Sequence, residues 1–252
     1  MKEFGALAML FTLIASTAIG VRMLLVARRT RQLPELLFGL AFLCGGLGQG
    51  LAVLGQRTLW TEPGSFATTM NTSLFGLNML GNIALYVVIW RVFRPAELRG
   101  AVVTALGIGA LLIGFGMRIG GGEFVDGTTY GDGMRVTLAA RISIFCWITM
   151  EAQYHGAMLF KRARLGLADA MAAAQVRLWG VAGLANMLLS VMIAYYTLEL
   201  HRSPLEDFWP VCAILVLVTV SVTTMWIAFF PPAGLAARVR ARISDASVAH
   251  VA

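Results

Sequence analysis

The chain has 252 residues, of which 58% are hydrophobic and only 13% charged, and its 20 basic and 13 acidic side chains leave a net charge of +7. A water-soluble domain of that length needs a far more charged surface, so this composition excludes one and specifies an integral membrane protein.

Runs apolar and long enough to cross about 30 Å of hydrocarbon are expected at 4–27, 34–56, 66–92, 100–118, 134–160, 172–198 and 207–230. The expected fold class is all-α, a single transmembrane domain of seven helices. Arginines and lysines crowd alternate connections: Arg28, Arg29 and Arg31; Arg91, Arg94 and Arg99; Lys161, Arg162 and Arg164; Arg238, Arg240 and Arg242. The other connections hold most of the acids, among them Glu62, Glu123, Asp126, Asp132 and Asp207. By the positive-inside rule the N-terminus lies outside and the C-terminus in the cytoplasm, in a multi-pass protein of a bacterial-type inner membrane. The first span is expected to stay in the mature protein, because its basic cluster follows the apolar run where a cleavable signal has it in front.

The second span carries Gly39, Gly45, Gly46, Gly48, Gly50 and Gly55, with Gly46 and Gly50 in a GxxxG relation. Small residues let helices approach closely in lipid, and the same glycines suit a hinge. Gln49 sits among them. The third span sets Asn71, Asn78 and Asn82 along one side, as a polar ligand site or as interhelical hydrogen bonding requires. The fourth is again rich in glycine, with a GxxxG pair at Gly116 and Gly120, and it leads into a glycine-rich and acidic connection, 120–133, read as hydrated.

The fifth span holds most of the ionisable groups. Arg141, Glu151 and His155 fall within about 80° on one helical face, and Glu151 and His155 are one turn apart. Ionisable groups inside a membrane usually face a bundle interior and have a partner. Two readings stand: a proton-linked pair of Glu151 and His155 lining a cavity, or an ion pair of Glu151 with Arg22 or Arg177. Asn186 of the sixth span and Thr223 of the seventh extend the expected lining. Beyond Pro231 and Pro232, the stretch 232–252 alternates apolar residues with arginines and is expected to lie along an anionic inner leaflet.

The two halves of the chain correspond at a shift of about 135 residues. Trp90, Phe93 and Pro95 fall over Trp226, Phe229 and Pro231; Leu43, Gly45 and Gly48 over Leu178, Gly180 and Gly183; and the loop 28–31 over 161–164. The halves 4–95 and 134–231 then read as parallel repeats of three helices joined by a linker helix, 100–118. The four tryptophans at span ends, Trp60, Trp90, Trp209 and Trp226, read as interfacial anchors. This arrangement resembles the three-plus-one-plus-three superfamily of the SWEET and PQ-loop carriers and, more distantly, the microbial rhodopsins. The resemblance implies a central cavity between two three-helix units. No Pro-Gln pair occurs in the first or fifth span, and no lysine in the seventh for a retinal Schiff base.

Cys44, Cys146 and Cys212 have no metal-ligand spacing, the three histidines do not pair as haem ligands, and no nucleophile-elbow, zincin or P-loop pattern occurs. No cofactor, metal, enzymatic activity or nucleic-acid partner is expected. The expected function is a small-molecule membrane carrier with a central polar site, with proton coupling through Glu151 and His155. Its site residues are Asn78, Asn82, Glu151, His155, Asn186, Arg141, Gln49 and Thr223. The alternative is a seven-helix sensor or accessory subunit that binds a ligand, a lipid or a partner membrane protein without transport.

Overall fold

A computed structural model describes residues 2–59, 64–125, 131–205, 207–232 and 234. Trp60 and nearly all of the expected tail, 232–252, lie outside the described residues. Helix α1 spans Lys2–Thr30, α2 Leu33–Thr58, α3 Ser65–Phe93, α4 Leu98–Gly120, α5 Asp132–Arg164, α6 Ala170–Ala194 and α7 Phe208–Phe229. A π turn, Tyr195–Glu199, prolongs α6. All seven helices are long and apolar enough to cross a membrane, and the described residues contain no strand.

Local chemistry sets the helix ends. Arg31, at φ 56°, stops α1, and Pro34 occupies the first turn of α2, where the amide it lacks has no helical partner. The hydroxyl of Thr30 hydrogen-bonds to Glu35 across that junction. Gly122, at φ 70°, and Gly166, at φ 69°, turn the chain after α4 and α5. Basic side chains occupy the last turns of α1 (Arg28, Arg29), α3 (Arg91) and α5 (Lys161, Arg162, Arg164), where the exposed carbonyls concentrate negative charge. Helix α5 continues to Arg164, a turn past the apolar run that marks it in the sequence.

The chain divides into two units, Met1–Ile144 with Leu189–Leu215, and Phe145–Leu188 with Val216–Ala252. In the first, α2 is the central element. A Cβ on Gly20 of α1 would lie 2.8 Å from the Leu43 amide nitrogen, one on Gly39 2.8 Å from Leu24, and one on Gly46 would overlap Ser16. On its other side, a Cβ on Gly48 would overlap the Asn78 amide, and one on Gly81 of α3 would overlap the Gly45 backbone. Helix α2 thus presents one small-residue face to α1 and a second to α3. Lipid is as apolar as the side chains, so this close approach supplies the dispersion and hydrogen-bond contacts that hold the three together.

Helix α4 is held by a different glycine set. A Cβ on Gly107 would occupy the ring of Tyr86, and one on Gly114 would lie 2.6 Å from Thr137 Oγ1. Gly109, Gly116 and Gly120 have nothing within 4 Å of that position, so the GxxxG pair of α4 is not the one that packs.

The connection after α4 departs from its hydrated reading. Glu123 and Phe124 are only 5% and 3% exposed. The Glu123 carboxylate accepts from Arg118 Nε at 3.2 Å and from the Gly133 amide, in the first turn of α5, at 3.1 Å. The Arg118 guanidinium lies 4.5 Å from the Phe75 ring centroid and 4.4 Å from that of Phe124. The ion pair is therefore buried and flanked by aromatic faces, and the carboxylate also meets the positive end of α5. Residues 126–130 of this connection lie outside the described residues.

In the second unit, α6 meets α5 through its own small residues. A Cβ on Gly180 would lie 2.7 Å from Gln153 Nε2, and one on Gly183 2.7 Å from Thr149 Oγ1. Trp179 of α6 and Phe229 of α7 have ring centroids 5.6 Å apart. Ile148, Ala152, Ala173, Ala182, Ala185, Met225 and Ala228 are buried.

Candidate functional site

The eight residues marked by the sequence fall into local groups. Within the first unit, Arg141 of α5 donates from Nη1 to Oε1 of Gln49 of α2 at 3.3 Å. Its Nε is sealed from solvent and has no acceptor among the described residues. Arginine retains its charge under almost any condition, and here the half-buried guanidinium meets one neutral amide and no carboxylate among the described residues. Gln49 is on the third face of α2, between the two glycine faces. Gly45, one turn before it, has open space where a side chain would be, and Ala52, on the same side, is fully buried. Leu33, Leu36 and Leu51, all exposed, centre on the opposite side.

Asn78 and Asn82, 9% and 8% exposed, form a second group in this unit. Asn78 Nδ2 donates to the Gly45 carbonyl at 2.9 Å, and Asn82 Nδ2 donates to the Asn78 carbonyl at 2.9 Å and its Oδ1 at 3.2 Å. Asn78 thus ties α3 to α2, while Asn82 bonds back to Asn78 on its own helix. Asn71 of the same stripe is also buried.

Glu151 and His155 meet in the second unit, with His155 Nε2 3.3 Å from Glu151 Oε2. Trp147, a further turn back, donates from Nε1 to Glu151 Oε1 at 3.2 Å, and Tyr154 sets its ring edge-on to His155. The carboxylate thus has both oxygens engaged from its own helix. Arg177 does not join it; its guanidinium lies 5.8 Å from the Phe160 ring centroid, and its stem packs on Gly156. Asn186 of α6 donates to Ser221 Oγ of α7 at 2.6 Å and to its own helix at Ala182. Thr223 is exposed.

Tyr86 and Trp147 escaped the sequence reading. Trp147, Glu151 and His155 stand four apart on one helix, so their contact was available from spacing. Tyr86 reaches from α3 to α5, where its hydroxyl meets the Ala140 carbonyl at 2.8 Å and Ser143 Oγ at 2.6 Å. Among the described residues no three His, Cys, Asp or Glu side chains gather as metal ligands would. Comparison with protein-family models, with curated proteins and with solved structures finds no match to this chain.

Proposed function

We propose that the chain is a multi-pass carrier of a bacterial-type inner membrane, N-terminus outside and C-terminus in the cytoplasm, moving a small molecule through a site that includes Arg141 and Gln49. The observation that carries this reading is Arg141, half-buried within an apolar span, with Nε sealed from solvent and Nη1 bonded to one neutral amide. A charge inside the membrane is unfavourable enough that it commonly marks a pathway for an ion or substrate. The orientation draws its support from the basic last turns of α1, α3 and α5. A parallel three-plus-one-plus-three repeat belongs to the same proposal and rests on the matched Trp, Phe and Pro spacing of 90–95 and 226–231. The contact of Glu151 with His155 supports proton coupling.

The test is counterflow and gradient-driven uptake of a panel of radiolabelled metabolites by purified protein in liposomes. Saturable flux absent from protein-free vesicles is the expected result. Binding without flux under any imposed ion or pH gradient overturns transport and favours the sensor. Under proton coupling, Glu151→Gln removes the response of flux to an imposed pH gradient while exchange at equal pH persists.

A further inference from the structure

Arg141 and Gln49 together present an unusual imbalance of donors. Nη1 of Arg141 lies on the Cδ side of the guanidinium, so its bond to Gln49 leaves the opposite edge, Nε with Nη2, whole. Neither nitrogen of that edge has an acceptor among the described residues, and Nε is sealed from solvent. The edge offers two parallel N–H groups at the separation of the two oxygens of a carboxylate. Gln49 must turn its oxygen to Arg141, which only donates, so its amide nitrogen remains a further donor. The pair therefore offers hydrogens on several sides, and its one side-chain acceptor is already occupied.

Such a site selects against most ligand classes. A cation meets a bare positive charge. A sugar or other polyol needs acceptors as well as donors, because each hydroxyl brings a hydrogen of its own. An anion supplies acceptors alone and neutralises the guanidinium, removing the cost of an uncompensated charge in hydrocarbon. Gly45 is one turn from Gln49, within about 40° of it around the helix, and nothing lies within 4 Å of where its side chain would be.

We propose that Arg141 and Gln49 form a binding site for a small carboxylate anion, held bidentate on the Nε and Nη2 edge of Arg141 and accommodated over Gly45. The assignment rests on the carrier reading in taking this pair as the ligand site, and it narrows the substrate to organic acids. Lysine at position 141 keeps a charge but loses the fork, and a bulky side chain at position 45 fills the space while leaving the donors intact.

The experiment uses the full chain, purified and reconstituted in nanodiscs, titrated at constant ionic strength with acetate, lactate and benzoate, with their amides, and with inorganic phosphate. Calorimetry and the shift in thermal midpoint are read together. At least one carboxylate binds saturably and its amide does not. Arg141→Lys weakens that binding at least about tenfold, the loss of one charge-assisted hydrogen bond or more. Gly45→Leu abolishes it, whereas Gly109→Leu, at an equally open position on α4, leaves it unchanged. Arg141→Gln abolishes it as well; should that variant not fold, the Lys and Gly45 variants decide. Equal binding of acid and amide, binding of phosphate alone, no saturable binding, or binding indifferent to position 141 overturns the assignment. Saturable carboxylate binding with no flux in liposomes removes the carrier and leaves the anion site. Flux of a neutral or cationic solute that survives Arg141→Gln removes the anion site and leaves the carrier.

Discussion

The phenol of Tyr86 on α3 donates to the carbonyl oxygen of Ala140 on α5 at 2.8 Å, and its ring rests on the bare backbone of Gly107 on α4. One side chain thus ties three helices. Ser143 also donates to the Ala140 carbonyl, at 2.9 Å, so removing the phenol leaves that acceptor bonded. Tyr86→Phe is expected to lower unfolding stability by only about 1 kcal/mol. Gly107→Ala forces the ring aside and is expected to cost about 1–3 kcal/mol. Gly109→Ala, which meets open space, is expected to be neutral or stabilising through helix propensity alone. Denaturant titration of the purified protein orders the three variants, and a cost at Gly109 equal to that at Gly107 contradicts the ring contact.

The buried ion pair of Arg118 and Glu123 predicts an asymmetry. Glu123→Gln leaves a guanidinium between two phenyl rings without its counter-charge and is expected to cost about 3–5 kcal/mol. The exposed pairs Arg94 with Glu97 and Arg135 with Asp132 are expected to be worth at most about 1 kcal/mol when broken. The joint substitution Arg118→Met with Glu123→Gln is expected to recover much of the loss, because no charge then remains buried. A double-mutant cycle on thermal unfolding measures this; simple additivity is the outcome that excludes it.

Where α2 meets α3 the glycines separate by what they meet. Gly48→Ala and Gly81→Ala place a methyl into opposing backbone and are each expected to destabilise the protein by about 1–3 kcal/mol. Gly45→Ala enters open space and is expected to fold as well as the natural chain. Expression yield and monodispersity in detergent give a first ranking, and thermal midpoints a quantitative one.

In the second unit, Asn186 and Ser221 form a polar link from α6 to α7. Intramembrane hydrogen bonds of this kind measure about 0.6 kcal/mol on average in double-mutant cycles. The cycle of Asn186→Leu with Ser221→Ala is expected to give a coupling of that order, and a zero coupling shows that the two groups do not act together.

The helices themselves were legible because an apolar run must be about as long as the hydrocarbon is thick, and seven runs among the described residues qualify. The extra turn of α5 was not, since Lys161, Arg162 and Arg164 end an apolar pattern without ending a helix. Glu151 and His155 were readable as neighbours from their spacing of four. Gln49 and Arg141 were each marked as polar residues in a span, yet nothing local joins two positions 92 residues apart. Tyr86 was silent for a related reason: its acceptor is a backbone carbonyl, which every residue has.

Glycine motifs were an uneven guide. Gly46 and Gly50 do meet α1, whereas Gly116 and Gly120 meet nothing among the described residues, because a small residue matters only where a neighbour comes close. The repeat alignment places Gly45 and Gly48 over Gly180 and Gly183, but Gly48 faces α3 and Gly45 open space whereas Gly180 and Gly183 both face α5, so overlaying the residues does not overlay their contacts. Trp90 packs beneath Gly100 with Nε1 buried, while Trp226 is exposed, a further difference between matched positions.

The two glycine faces of α2 also limit how this region can move. With backbone seated on backbone toward α3, and Gly39, Gly46 and Gly50 engaged toward α1, rotating α2 by a fraction of a turn drives Leu43 or Leu47 into a seat that admits no side chain. Sliding meets the same obstruction. The first three helices are therefore expected to behave as a single stiff blade, with spin labels placed on α1 and α3 keeping a constant separation whatever the rest of the chain does.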